Sequence, residues 1–146
     1  MTAALYARMV DQRQCRWGAS VSSLFPGITA HPAWADVRVE DMLSHSAGPT
    51  DSFIDGAWLD ERRADGASPR EQRHAVVARV LAVPPAERPG IYRYGNLNYV
   101  LVGSAIEQAA DNFWEDAMHM AVFAPLKKNW SGVRCSAAIR SMGAVR

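Results

Sequence analysis

Proline and glycine cut this chain into short pieces, and that punctuation constrains its fold more than any other feature. Pro26-Gly27, Gly48-Pro49, Pro84-Pro85, Pro89-Gly90 and Pro125 each interrupt regular structure. Proline lacks an amide donor, and glycine takes turn conformations that other residues avoid. Between these marks, apolar residues recur at helical rather than alternating spacing. Leu5, Tyr6, Met9 and Val10 predict a helix over 3–10, with Thr2 offering an N-cap. Val39, Met42 and Leu43 predict a short helix over 39–45. Ser68-Pro69-Arg70-Glu71 has the form of a capping box with proline at the first helical position. The helix it opens carries Val76, Val77, Val80 and Leu81. Tyr99, Val100, Val102, Gly103 and Ile106 form a stripe over 97–110, with Asn96 as the expected N-cap. Asp111 is expected to cap one more helix, running to Phe123.

The other segments carry weaker signals. Residues 20–26 read as an extended or loop piece, and 91–94 as extended. Residues 49–67 read as an irregular excursion or a short helix around Phe53, Ile54, Trp58 and Leu59. The segment 127–146 is small, polar and aperiodic, and is expected to be frayed. Strand signal is slight throughout, so the chain reads as mostly helical.

At 146 residues the chain has room for one ordinary domain, and 49% apolar with 21% charged residues is a globular composition. Sixteen basic against fifteen acidic side chains leave +1, so no overall field steers it to nucleic acid. No apolar run of about 18 residues exists to span a membrane. Residues 1–8 show no charged region followed by an apolar core, so no secretory signal is readable and the compartment is left open. Cys15 and Cys135 form no disulfide framework and have no metal spacing around them. His31, His74 and His119 have no ligand partners at useful spacing, so neither metal nor cofactor is expected. The only lysines are Lys127 and Lys128. A buried lysine can lose its proton and act as a base, whereas arginine cannot, so a mechanism needing a lysine base has two candidates.

Four segments resemble one known family. Val37-Arg38-Val39-Glu40-Asp41-Met42-Leu43-Ser44-His45-Ser46-Ala47-Gly48 resembles the helix and Leu-Leu-x-His-x-Ser-Gly turn of the serine β-lactamase-related family. That family includes class C β-lactamases, D-alanyl-D-alanine carboxypeptidases and related esterases. Tyr94-Gly95-Asn96, followed by Tyr99-Val100-Leu101-Val102-Gly103-Ser104-Ala105-Ile106-Glu107, is similar to its Tyr-x-Asn motif and the succeeding helix. Phe123-Ala124-Pro125-Leu126 is similar to the family's Phe-x-Pro-Leu, and residues 5–25 fit the segment between nucleophile and histidine turn. The agreement is collinear over 3–126. It implies a mostly α fragment of the α+β serine β-lactamase/DD-peptidase-like fold: a helical subdomain with most of the central sheet missing. Residues 1–126 would be a partial domain and 127–146 a divergent, disordered tail.

The resemblance implies acyl transfer. A serine in Ser-x-x-Lys attacks a carbonyl, assisted by the lysine and by the tyrosine of Tyr-x-Asn, while an oxyanion hole holds the developing charge. Tyr94 matches the base position and Asn96 the substrate-orienting amide; Gly95 stands where serine or alanine is usual. A tyrosine serves as base only where positive charge lowers its pKa from about 10. No nucleophile is readable, since Ala124 and Pro125 lie three residues before Lys127 and Lys128 and no Ser-x-x-Lys occurs. The resemblance would place that motif just before the 3–10 helix, and the third motif, Lys-Thr-Gly or His-x-Gly, is also missing.

Other candidates read more blandly. His45 invites a triad with Ser44, Ser46 or Asp51, but adjacent helical residues do not face each other, so a structural role in tying down the turn is expected. Arg62, Arg63, Arg70 and Arg73 are interleaved with acidic residues and read as a solvated mixed-charge face. Trp58 lies in the segment that overhangs the cleft in the family. Two functional readings follow. One is a β-lactamase-related hydrolase by descent, acting on β-lactams, D-alanyl peptides or small esters but unable to form an acyl-enzyme as written. The other is a non-catalytic helical remnant or pseudo-enzyme binding module. The implied partner is a small acyl substrate, and helix faces lacking their sheet imply self-association.

Overall fold

A computed structural model describes residues 1–127. It contains α1 (Thr2–Asp11), α2 (Val21–Leu24), α3 (Val39–Leu43), α4 (Gly56–Ala64), α5 (Pro69–Leu81), α6 (Asn96–Ala110) and α7 (Trp114–Met118). Short 3-10 turns occupy Pro32–Trp34 and Asp51–Phe53, and a π turn follows α7 at His119–Phe123. Among the described residues no strand forms, and the only β-type pairing is an isolated antiparallel bridge between Ser20 and Arg38.

The longest apolar stripe becomes the centre. α6 buries Leu97, Leu101, Val102, Ala105 and Ile106 together with Asn98, Ser104 and Glu107, more of its circumference than a one-faced surface helix would. It packs on α5, α3, α7, α1 and α2. Leu101 and Ile106 are fully buried, each contributing about 2 kcal/mol of apolar transfer free energy. Trp34 and Tyr6 are also fully buried and satisfy their polar atoms internally. The Trp34 indole N–H donates to the Val83 carbonyl at 2.8 Å and the Tyr6 hydroxyl to the Arg16 carbonyl at 2.9 Å.

The second feature of the core is ionic. Arg73 of α5 donates through Nε and Nη2 to both carboxylate oxygens of Glu107 at 3.0 and 2.7 Å, and through Nη2 to Glu115 at 3.0 Å. Glu107 is 1% exposed and also accepts the Trp114 backbone N–H. Burial works against the charge on Arg73, but the hydrogen bonds and charges of Glu107 and Glu115 outweigh it and raise its pKa. This fork ties α5, α6 and α7 together. The solvated face expected of the arginines therefore fails at Arg73, while Arg63 and Arg70 do make exposed pairs with Asp60 and Asp111.

Several boundaries differ from the sequence expectations. The capping box at Ser68 and Glu71 forms as read. Thr2 is inside α1, and Met1 occupies its N-cap without a side-chain bond. Residues 20–26 contain the single-turn α2, capped by Ser20. The 49–67 excursion holds the Asp51–Phe53 turn and α4, which Asp55 caps through the Trp58 N–H. Asn96 is helical, and Gly95 takes the N-cap position. Asp111 ends α6 in a left-handed conformation (φ 44°), and Phe113 precedes α7. These last two are local misassignments with one cause: a capping residue type can serve either side of a break, and only packing decides which. The expected tail lies outside the described residues except for Lys127.

Candidate active site

Two sequence segments build the site. Residues 44–48 form a tight turn after α3, and residues 85–95 lead into α6. They are zipped together by main-chain bonds: Arg93 N–H to His45 O at 2.8 Å, Gly90 N–H to Ser46 O at 2.8 Å, and Ala86 N–H to Gly48 O at 2.9 Å. Gly48 has φ +90°, and a Cβ there would collide with the Glu87 carbonyl oxygen and come within 2.9 Å of Pro85 Cβ. Glycine is therefore required both by conformation and by close approach.

His45 sits at φ +58°, uncommon for a residue with a side chain. Its ring lies among three tyrosines, with centroids 4.6 Å from Tyr94, 5.1 Å from Tyr99 and 6.3 Å from Tyr92. Tyr99 anchors this stack by donating to the Leu43 carbonyl at 3.2 Å. Ser44 and Ser46 bond each other at 2.7 Å. His45 Nδ1 is buried without a hydrogen-bond partner. The role expected of His45 is to tie down the turn; its ring packs among the three tyrosines, and no Ser-His hydrogen bond forms among the described residues.

Tyr94 and Asn96 come together on an open surface. Tyr94 is 66% exposed, and its hydroxyl donates to Asn96 Oδ1 across a long 3.4 Å contact. Asn96 is held from the other side by Asp51. Asp51 Oδ2 accepts the Asn96 amide nitrogen at 2.9 Å and its backbone N–H at 3.1 Å, while Oδ1 accepts the Leu97 N–H at 3.0 Å. The start of α6 is thus capped by a carboxylate 45 residues away in sequence, not by Asn96. Partial desolvation raises the Asp51 pKa, but the Leu97 and Asn96 backbone donors, the Asn96 amide and His45 together hold it below the usual carboxylate range. Gly95 belongs to the same arrangement, since a Cβ there would lie 3.2 Å from Asp51 Oδ1.

Asp51 is the site residue that sequence reasoning undervalued, appearing only as a triad candidate for His45. The missing side chain at Gly95 was its available signal. Trp58 is engaged elsewhere, with the guanidinium groups of Arg79 and Arg62 at 5.4 and 5.8 Å from its ring. Lys128 lies outside the described residues. Among the described residues no group of three or more His, Cys, Asp or Glu is arranged to hold a metal, and no helix is long and apolar enough to cross a membrane.

The beta-lactamase family model matches residues 1–142. The chain belongs to the beta-lactamase family. Solved structures place it within that family's fold. A penicillin-binding protein homolog from Caulobacter crescentus superposes with a TM-score of 0.70 at 22% identity, covering 95% of this chain and 36% of that one. The octameric penicillin-binding protein homologue from Pyrococcus abyssi gives 0.69 at 25% identity, covering 95% and 32%. A beta-lactamase/D-alanine carboxypeptidase from Yersinia pestis, complexed with citrate, gives 0.68 at 17% identity, covering 86% and 36%. No curated protein sequence matches the chain significantly. The chain therefore spans about a third of the length of these structures and corresponds to a helical part of the fold.

Proposed function

We propose that this chain carries the Tyr-x-Asn half of a serine-hydrolase site, a site for acyl transfer on β-lactams, D-alanyl peptides or small esters. The observation that carries this reading is the pairing of Tyr94 with Asn96 on an exposed face at the start of the central helix. In that chemistry the phenol of Tyr94 moves a proton and the amide of Asn96 orients the acyl group. Membership of the beta-lactamase family supports the reaction class.

With no Ser-x-x-Lys among its 146 residues, the chain by itself forms no acyl-enzyme. A serine hydroxyl with a base beside it is the step that every later one depends on. The test is incubation with a reporter penicillin, followed by intact mass and turnover, against a Tyr94→Phe control. No adduct and no turnover above that control are expected. A covalent adduct on any serine would overturn the inactive reading and identify the nucleophile.

A non-catalytic binding module is the second reading, favoured by the exposure of Ile91, Tyr92 and Tyr94 at 52, 70 and 66% along one short segment. Exposed aromatics in sequence offer a contact surface that needs no chemistry.

A further inference from the structure

A cleft of about 400 Å³ opens where the chain returning from α1 crosses the far half of α6. Small-ligand pockets fall in the range of about 300–1,000 Å³. Ala105 and Ala109 of its lining lie about 14 and 20 Å along the helix from Asn96, at 1.5 Å per residue, so this cleft is separate from the Tyr94 surface. Much of the lining is apolar: Leu24, Pro26, Ala105 and Ala109, with Cys15 and Tyr6 beside them. Burial pushes the Cys15 thiol up and the Tyr6 phenol up to about 12, so neither carries negative charge at neutral pH. Among the described residues no acidic side chain lines the cleft. Glu40, whose charge reaches Tyr6, accepts the Gly18 N–H at 2.6 Å.

Two cations of this cleft are uncommitted. Arg13 and Arg16 line it, both are exposed, and among the described residues neither guanidinium has a hydrogen bond or ion pair. Arg62, Arg63, Arg70, Arg73, Arg79 and Arg93, by contrast, all pair with carboxylates. Arg13 also sits at φ +61°, just past the Gln12 cap of α1, where glycine is the usual residue. The chain bears that conformational cost and gains a guanidinium at the mouth of the cleft. We propose that the cleft binds a small amphipathic anion. Arg13 and Arg16 hold its carboxylate or phosphate head, whose oxygens match the guanidinium fork, and the apolar body lies against Leu24, Cys15 and Ala105. This second site is independent of the reading of Tyr94 and Asn96.

The test uses the full chain, isotope-labelled, titrated with octanoate, octyl phosphate, octylamine, octanol and acetate. The resonances followed are those of Cys15, Ala105, Ala109 and Trp17, whose ring centroid lies 5.5 Å from that of Tyr6. Octanoate and octyl phosphate are expected to shift them with affinities about tenfold or more above octylamine, octanol and acetate, the effect of a charge-assisted hydrogen bond joined to apolar burial. Binding of only one of the two anions would fix the head as carboxylate or phosphate. Added salt should weaken binding. Arg13→Gln and Arg16→Gln should each lower the octanoate affinity about tenfold. Arg13→Gly suits the left-handed turn, so a fall in affinity there reports the lost guanidinium and not a disturbed fold. Octylamine, octanol or acetate binding as tightly as octanoate would overturn the proposal. So would shifts confined to Tyr92 and Tyr94, no shift from either anion, or an octanoate affinity unchanged by the Arg13 and Arg16 substitutions.

Discussion

Replacing Gly48 with alanine tests how the two halves of the site are docked. The substitution carries two costs that the structure separates. At φ +90° a side chain is strained whatever surrounds it, by about 1–2 kcal/mol. The new Cβ also meets the Glu87 carbonyl and Pro85 Cβ, so residues 85–87 must withdraw. Withdrawal breaks the bonds from Ala86 and Glu87 N–H to the Gly48 carbonyl, at 2.9 and 3.3 Å, each worth about 0.5–1.5 kcal/mol. The expected total is about 3 kcal/mol, or a fall of about 10 °C in Tm for a chain of this size. Gly66→Ala is the internal control, since φ there is +68° with nothing within 4 Å of the added Cβ. It should show the strain alone, about 1–2 kcal/mol. Urea denaturation of both variants at one fixed protein concentration reads the difference. Equal destabilisation of the two would refute the claim that the histidine turn is pressed against 85–87. Loss of the Tyr94 ring-current shift from His45 in Gly48→Ala would connect that contact to the site.

Two further predictions concern the core. Arg73→Met leaves Glu107 buried with only the Trp114 N–H as partner and is expected to cost about 3 kcal/mol, with Arg73→Lys intermediate because it cannot fork. A loss below about 1 kcal/mol in urea denaturation would mean the triad is replaceable. Tyr6 has its pKa pushed up to about 12, first by burial and then by the nearby Cys15 and Glu40 charges. A group whose folded pKa is raised binds its proton more tightly when folded. Its contribution to stability is complete below the phenol's ordinary value of about 10 and is lost as pH climbs through about 12. Tyr6→Phe should flatten that alkaline loss, as followed by phenolate absorbance and thermal unfolding. An unchanged alkaline limb would show that another group controls it.

Much of the fold was legible because its signals are local. Ser68, Pro69 and Glu71 specify a helix start within four residues, and the capping box forms with no tertiary help needed. The apolar stripe after Asn96 likewise marked the central helix. Local reasoning failed where a residue's partner was distant. Asn96 and Asp111 have the chemistry of N-caps, yet Asp51 supplies the first cap and Asp111 ends the preceding helix. Arg73 sits in a mixed-charge run that reads as solvated, and only the packing of α5 against α6 and α7 buries it beside Glu107.

The site divides in the same way. The pairing of Tyr94 with Asn96 follows from two residues' separation at the entrance to a helix, and the absence of Ser-x-x-Lys is a property of the sequence alone. The direction in which Asn96 points its amide belongs to the tertiary structure. It follows from Asp51, which reaches the helix start because the histidine turn docks on 85–93 and because Gly95 has no side chain in the way. A one-dimensional pattern records which groups a chain carries. Which face of each group remains free depends on hydrogen bonds closed across 45 residues, and those exist only once the chain has folded.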